Sequence, residues 1–281
     1  MLSSLLSSAS VVREYVSLVD IVAYRRPTAN RVFDQIYMMT GDMLTQVDVM
    51  QDYLTDKDVI FLGDGDGMSM LFGLFSVKNI INSPKSICVL DFDERIVNNI
   101  LNFSREYKFE EKFSICCEKY NVIERIPKKH ENRYDFFYIN PPYGSKNAGI
   151  SCEVWLHRCM DLCKNACSGC IIIPYDHEQE WTIKAMVYIQ RFLLENGFVI
   201  RDMVSYMHSY HLKDNPVLRS ATLIVDRVET KQSIYSLKSL PKDLLKNLYG
   251  SPRPIPKYIC DDNTPYGKAD YDWEYGKKFW I

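Results

Sequence analysis

No run in the 281 residues approaches the roughly 18 uninterrupted apolar positions of a membrane span, so no membrane is expected among the partners. The opening MLSSLLSSASV lacks a basic n-region, serines break its apolar run, and Arg13, Glu14, Arg25 and Arg26 soon follow. It reads as a frayed or amphipathic helix and not as an export signal. A basic excess is missing too. The formal net charge is -2, whereas a standing duplex-nucleic-acid partner usually leaves a basic footprint. Internal repeats and low-complexity linkers are absent.

Two phosphate motifs are also missing. Gly63-Asp64-Gly65-Asp66-Gly67 is not a dinucleotide GxGxxG, and no Gly-Lys-Ser/Thr follows it. Among nine cysteines only Cys167-Ser168-Gly169-Cys170 has zinc-knuckle spacing, and there is no second knuckle. Cys159, Cys163 and Cys167 recur every four residues and are expected on one face of a helix, as small buried thiols. No metal is therefore expected. The odd cysteine count fits reduced thiols and a cytoplasmic location.

What is present is a chain with 47% hydrophobic residues, enough for a sizeable core, and an alternation of apolar runs with helical patterns. Residues 1–24 and 42–54 read as helices, with Pro27 breaking the chain between them. Strands are expected at 58–62, 86–90, 113–117, 134–139, 169–174, 198–206 and 221–228. Helices are expected at 68–75, 94–105, 151–167 and 182–196. That order predicts an α/β fold, a Rossmann-like doubly wound, mostly parallel sheet. The expected division is a helical segment over 1–54, the Rossmann-like domain over 55–228 and a C-terminal extension over 229–281.

In such a sheet the ligand lies outside the carboxyl ends of the strands, where the unusual residues of this sequence cluster. After the first strand, Gly63, Gly65 and Gly67 let backbone approach a ligand, while Asp64 and Asp66 suit a cation better than a pyrophosphate. After the second, Asp91 is placed to accept from ribose hydroxyls, with Asp93 and Glu94 as competitors or helix caps. Phe92 follows it on the same turn. After the third, Glu118, Lys119 or Tyr120 reaches an adenine, or the segment is a solvated loop. After the fourth comes Asn140-Pro141-Pro142-Tyr143. The prolines stiffen the turn. The Asn140 side-chain oxygen and a proline carbonyl can then accept hydrogen bonds from one amino group. That would aim its lone pair at an electrophile, with Tyr143 holding the substrate.

These residues resemble those of class I S-adenosylmethionine-dependent transferases, and Asn-Pro-Pro-Tyr is similar to the motif of amino-methyltransferases. Phe33-Asp34-Gln35, Gly63-Asp64-Gly65-Asp66, Val89-Leu90-Asp91-Phe92-Asp93-Glu94-Arg95 and Pro141-Pro142-Tyr143 also resemble, in order and spacing, the branched-chain polyamine (bis-aminopropylspermidine) synthase family, from about residue 28 to about 227. The resemblance implies a class I Rossmann-like fold and a cofactor site lined by Gln35, Asp64 and Asp91. The ligand would be S-adenosylmethionine or its decarboxylated form. Two positions depart: the family's Gly-Asp-Asp-Asp has Gly65 in its middle here, and its proline motif begins with Asp where Asn140 stands.

The expected function is methyl transfer to an amino nitrogen of a nucleic-acid base, protein or small molecule. The alternatives are an aminopropyltransferase making branched polyamines and a non-catalytic binding module. A polycation site should restore the lost acids elsewhere, with Glu118, Glu153 and Asp176 as the candidates. The partners are then an amine-bearing substrate, small molecule or nucleic acid, with a homodimer as the oligomeric option. His208 and His211 border the substrate pocket or are ordinary loop residues. The basic and aromatic residues after 229, ending in Tyr266 to Trp280, stack on a single-stranded nucleic acid or pack over the sheet.

Overall fold

In the computed structural model, apolar runs too short for helices form the centre of the molecule. The structure describes residues 9–210, 212, 215–236, 238–250, 255–261 and 265–268. His211, Arg253 and most of the aromatic end lie outside the described residues.

The sheet contains β1 (Asp58–Leu62), β2 (Ser86–Asp91), β3 (Ser114–Lys119), β4 (Tyr134–Ile139), β5 (Cys163–Pro174), β6 (Phe198–Ser209) and β7 (Arg219–Arg227). Their order is β3-β2-β1-β4-β5-β7-β6. The first five are parallel, and β7 runs antiparallel between β5 and β6. This is the doubly wound, mostly parallel sheet that the alternation predicts. Its central strands β1 and β4 are apolar along most of their length because helices cover both faces, whereas the edge strand β6 is largely exposed.

Those helices are α1 (Ala9–Arg25), α2 (Thr40–Leu54), α3 (Met68–Val77), α4 (Glu94–Glu106), α5 (Ile150–Leu162) and α6 (Glu180–Glu195). One core, with Ile60, Leu90, Phe137, Trp155 and Ile189, fills one face of the sheet; the other, with Met43, Phe61, Phe72, Phe103 and Tyr138, fills the opposite face. A short hairpin, β8 (Pro256–Ile259) and β9 (Pro265–Lys268), lies beyond the sheet. Ile259 bridges Asp93, its amide donating to the Phe92 carbonyl at 3.0 Å.

One element differs from expectation. The helix predicted over 151–167 ends at Leu162, and Cys163 already starts β5 with extended φ −96 and ψ 154. Cys163 pairs with Tyr134, and the register then shifts so that Ser168 pairs with Phe136. Cys159, Cys163 and Cys167 therefore do not share a helix face, although all three are buried. A spacing of four is one helical turn, but it is also an even number of strand residues. Both periods put Cys163 and Cys167 on one side.

Candidate active site

The chain reverses after β1 through Gly63 and Gly67, both at positive φ, 79 and 73, which a side chain resists. Within this turn the Asp64 carboxylate accepts from the amides of Met68 at 2.8 Å and Ser69 at 3.0 Å, satisfying the start of α3. The Asp64 amide in turn donates to Asp91 at 2.9 Å, and the other Asp91 oxygen accepts from the Asp93 amide at 2.8 Å. The ends of β1 and β2 are thus laced together by carboxylates. Burial pushes the Asp64 carboxyl up to about 8 and the Asp91 carboxyl up to about 7, Asp93 adding to the rise at Asp91. Burial also raises Asp66 above the usual carboxylate range.

Asp66 and Asn140 form the second link. One Asp66 oxygen accepts from the Met38 amide at 2.8 Å and lies 3.9 Å from Arg26; the other accepts from the Asn140 side-chain nitrogen at 2.7 Å. With its nitrogen so held, Asn140 keeps its oxygen as an acceptor, unbonded among the described residues. Pro141 is buried beside it, and the Tyr143 hydroxyl contacts that of Tyr210, which is 2.7 Å from Ser220.

A cleft opens over these strand ends, with about 870 Å³ of free space, part of it open solvent. Gln35, Gly63, Asp64, Gly65, Asp66, Asp91, Phe92, Asn140, Pro141, Pro142 and Tyr143 all line it. Glu118 does not. Its side chain alternates to the face of β3 that carries Cys116, where Lys129 lies 2.7 Å from it, and it is held near a pKa of about 2 although burial opposes this. The wall of the cleft at this strand end is made instead by Tyr120 and Val122, just beyond β3. Glu153 and Asp176 are also away from the cleft: Glu153 contacts His157 and Tyr188, and Asp176 accepts from Gln179 at 2.9 Å. Gln35 lines the wall but both its ends are engaged, donating to Asp93 at 2.7 Å and accepting from the Asn30 amide at 2.7 Å.

Besides Phe33 and Asp34, which belong to the Phe33-Asp34-Gln35 run, several lining residues carried no sequence signal. Tyr249 stacks on Phe92 with centroids 4.7 Å apart, and Phe33 and Trp155 meet Tyr249 edge-on. Tyr37 covers Gly65: a Cβ there would meet its ring at 3.1 Å. That ring is fixed by its hydroxyl, which donates to the Pro27 carbonyl at 2.8 Å, and by Arg26 at 4.9 Å from its centroid. Asp34, left-handed at φ 58, is the one acid of the cleft outside the strand ends. Burial lifts its carboxyl to about 6, against the pull of Arg31, Lys146 and the Tyr143 amide. His208 lies within β6, not in a loop, bonded to Ser220 at 2.9 Å and Gln46 at 2.8 Å, and burial lowers it to about 3.

The cleft thus presents four carboxylates, Asp34, Asp64, Asp66 and Asp91, and no lysine, arginine or histidine among the described residues lining it. Aromatic rings close one end. Such a wall accepts a cation with a planar, apolar part.

Comparison with known proteins agrees with this architecture. The N(4)-bis(aminopropyl)spermidine synthase of Thermus thermophilus is 28% identical over 191 residues, 67% of this chain and 51% of that protein. The synthase of the same name from Thermococcus kodakarensis is 28% identical over 189 residues, 66% of this chain and 49% of that protein. The chain therefore spans about half the length of the curated relatives it matches. Among solved structures, the branched-chain polyamine synthase from Thermus thermophilus superposes with a TM-score of 0.66 at 23% identity, covering 82% of this chain and 67% of that one. That structure holds N4-aminopropylspermidine and 5′-methylthioadenosine. The likeness establishes a Rossmann-like fold of the methyltransferase type. The model of the branched-chain polyamine synthase A C-terminal domain matches residues 14–262, and the chain belongs to that family.

Proposed function

We propose that the chain transfers an aminopropyl group from decarboxylated S-adenosylmethionine to a polyamine nitrogen, giving a branched polyamine. The observation that carries this reading is the acid lining of the cleft: four carboxyl groups, raised by burial and drawn into ionising by an incoming cation, and no cationic side chain among its described lining residues. The decarboxylated cofactor is a sulfonium with an ammonium tail, and a polyamine is a polycation. S-adenosylmethionine itself brings a carboxylate, which this wall repels. The ligands in the Thermus thermophilus relative, an aminopropylated spermidine and a methylthioadenosine, support the same reading.

The cleft has room and chemistry for such a cofactor. Phe92, Tyr120, Val122 and Tyr249 supply the apolar walls for an adenine. The Asp91 oxygens each hold one amide and keep a further lone pair for a ribose hydroxyl. When bound, the cofactor supplies a sulfonium-activated propyl carbon: the nitrogen bonds to it as the carbon–sulfur bond breaks, and the electron pair leaves with methylthioadenosine. The Asn140 oxygen and the Pro141 carbonyl orient the attacking amine, so catalysis is chiefly positioning. Asp34, which lines the cleft with its carboxyl accepting from the Tyr143 amide beside the proline motif and lies near a pKa of about 6, takes the surplus proton from nitrogen.

A second reading, methyl transfer to a neutral amine, is favoured by the Asn140 amide, which Asp66 turns so that its oxygen is the free acceptor. Calorimetric titration with the two cofactors separates the readings. The aminopropyl reading expects the decarboxylated form to bind at least about tenfold more tightly. It also expects methylthioadenosine to be released on adding spermidine. Tighter binding of S-adenosylmethionine would transfer support to methylation. Binding of neither would leave a non-catalytic module.

A further inference from the structure

β2 and β3 lie side by side with Cys88 opposite Cys116. The two sulfurs and a ring nitrogen of His130 all lie within 4.8 Å of one another. Cys88 is 3% and His130 1% exposed. The Nδ1 of His130 is 2.6 Å from the Tyr134 hydroxyl, while its Nε2, though buried, has no hydrogen-bond partner. Nε2 is 3.3 Å from one Glu118 oxygen, and the other Glu118 oxygen is 3.1 Å from Cys116 Sγ. None of these residues lines the transferase cleft.

We propose that Cys88, Cys116 and His130, completed by Glu118, form a structural zinc site that ties β2 and β3 to the segment 128–134. Two thiolates, an imidazole and a carboxylate are a donor set that suits zinc, whose structural sites are four-coordinate and tetrahedral. Zinc–sulfur bonds of about 2.3 Å and zinc–nitrogen bonds of about 2.0 Å separate tetrahedral ligands by about 3.5–3.8 Å. The trio needs a contraction of no more than about 1.3 Å to reach this. A proton on His130 Nδ1, donated to Tyr134, leaves the Nε2 lone pair free to bind a metal; an outer partner of this kind fixes the tautomer of a metal-bound histidine. Lys129, which now pairs with Glu118, has a side chain 61% exposed and moves into solvent without loss of packing. The three stronger ligands are too far apart in the sequence to form a knuckle, which is why spacing alone does not reveal them.

The test uses the purified full chain, stripped with a chelator and titrated with cobalt(II). We expect about one cobalt per chain, a thiolate-to-cobalt charge-transfer band, displacement by zinc and a higher melting temperature with metal. Cys116→Ser removes the band, and Glu118→Gln, at a partly exposed position that tolerates the change, weakens binding at least about tenfold. Cys260→Ser leaves both unchanged. A wild-type chain without the band, or a band of full strength in Cys116→Ser or full affinity in Glu118→Gln, overturns the site.

Discussion

Asp66 is shared between the Met38 amide, Arg26 and the Asn140 side chain, so it orients the residue proposed to hold the attacking amine. Asp66→Ala frees Asn140 to rotate. A displacement of about 1 Å at a reacting centre costs on the order of a hundredfold. The expected outcome is a kcat lower by about that factor with cofactor affinity nearly intact, read by single-turnover rate and calorimetry. Asn140→Ala behaves the same way, and equal loss of both quantities would remove the assigned role. Asp34 makes a pH prediction. Its carboxyl is raised to about 6 and must be ionised to take a proton. The rate is therefore full above that pH and falls about tenfold per unit below it. Asp34→Asn lowers the plateau and flattens this limb of the kcat/KM profile. Asp64, Asp66, Asp91 and Asn140 were legible in the sequence because each stands at a strand end. Asp34 was not, since nothing in Phe33-Asp34-Gln35 shows that its backbone turns left-handed into the cleft.

At the scale of elements, runs such as Asp58–Leu62 and Tyr134–Ile139 announce themselves, because strands buried on both faces have no polar side to confuse the pattern. The start of β5 was hidden because its buried cysteines satisfy helical and strand periods alike. Glu118 misled for a related reason: the end of a strand points to the cleft on one face only, and alternation puts Glu118 on the other. The same pleat explains Gly169, which pairs with Phe137 in β4. A Cβ at Gly169 would sit 2.1 Å from the Phe137 ring. Gly169→Ala is expected to destabilise the chain by about 1–3 kcal/mol, through overpacking alone. A lower urea midpoint at unchanged slope would confirm it.

At the scale of the whole molecule, described residues after β7 pack against the helices and loops of the sheet. We propose that the extension from 229 belongs functionally to the Rossmann-like unit. Arg158 in α5, with no exposed surface, donates to the carbonyls of Val122 at 2.8 Å, Tyr235 at 3.1 Å and Lys238 at 3.0 Å. Arg158→Ala leaves three acceptors without a donor, one buried and two partly buried, and empties a fully buried site; it is expected to cost about 3–4 kcal/mol in chemical denaturation. The expected tail chemistry changes accordingly: Lys231 bonds the Glu195 carbonyl at 2.7 Å, and Tyr249 faces inward, donating to Asn121 at 3.2 Å. Composition shows that this segment is basic and aromatic. It does not show which aromatic residue turns inward, because that depends on contacts with Phe92 and Asn121, far away in sequence.

The same arrangement sets an order of events during synthesis. All seven strands of the sheet have been synthesised once Arg227 is added, yet Tyr249 and two of the three carbonyls that hold Arg158, those of Tyr235 and Lys238, have not. A nascent chain paused in that interval would carry the sequence of the whole sheet and a cleft lacking the Tyr249 wall. The aromatic end of the cleft is therefore closed by one of the last segments to be made.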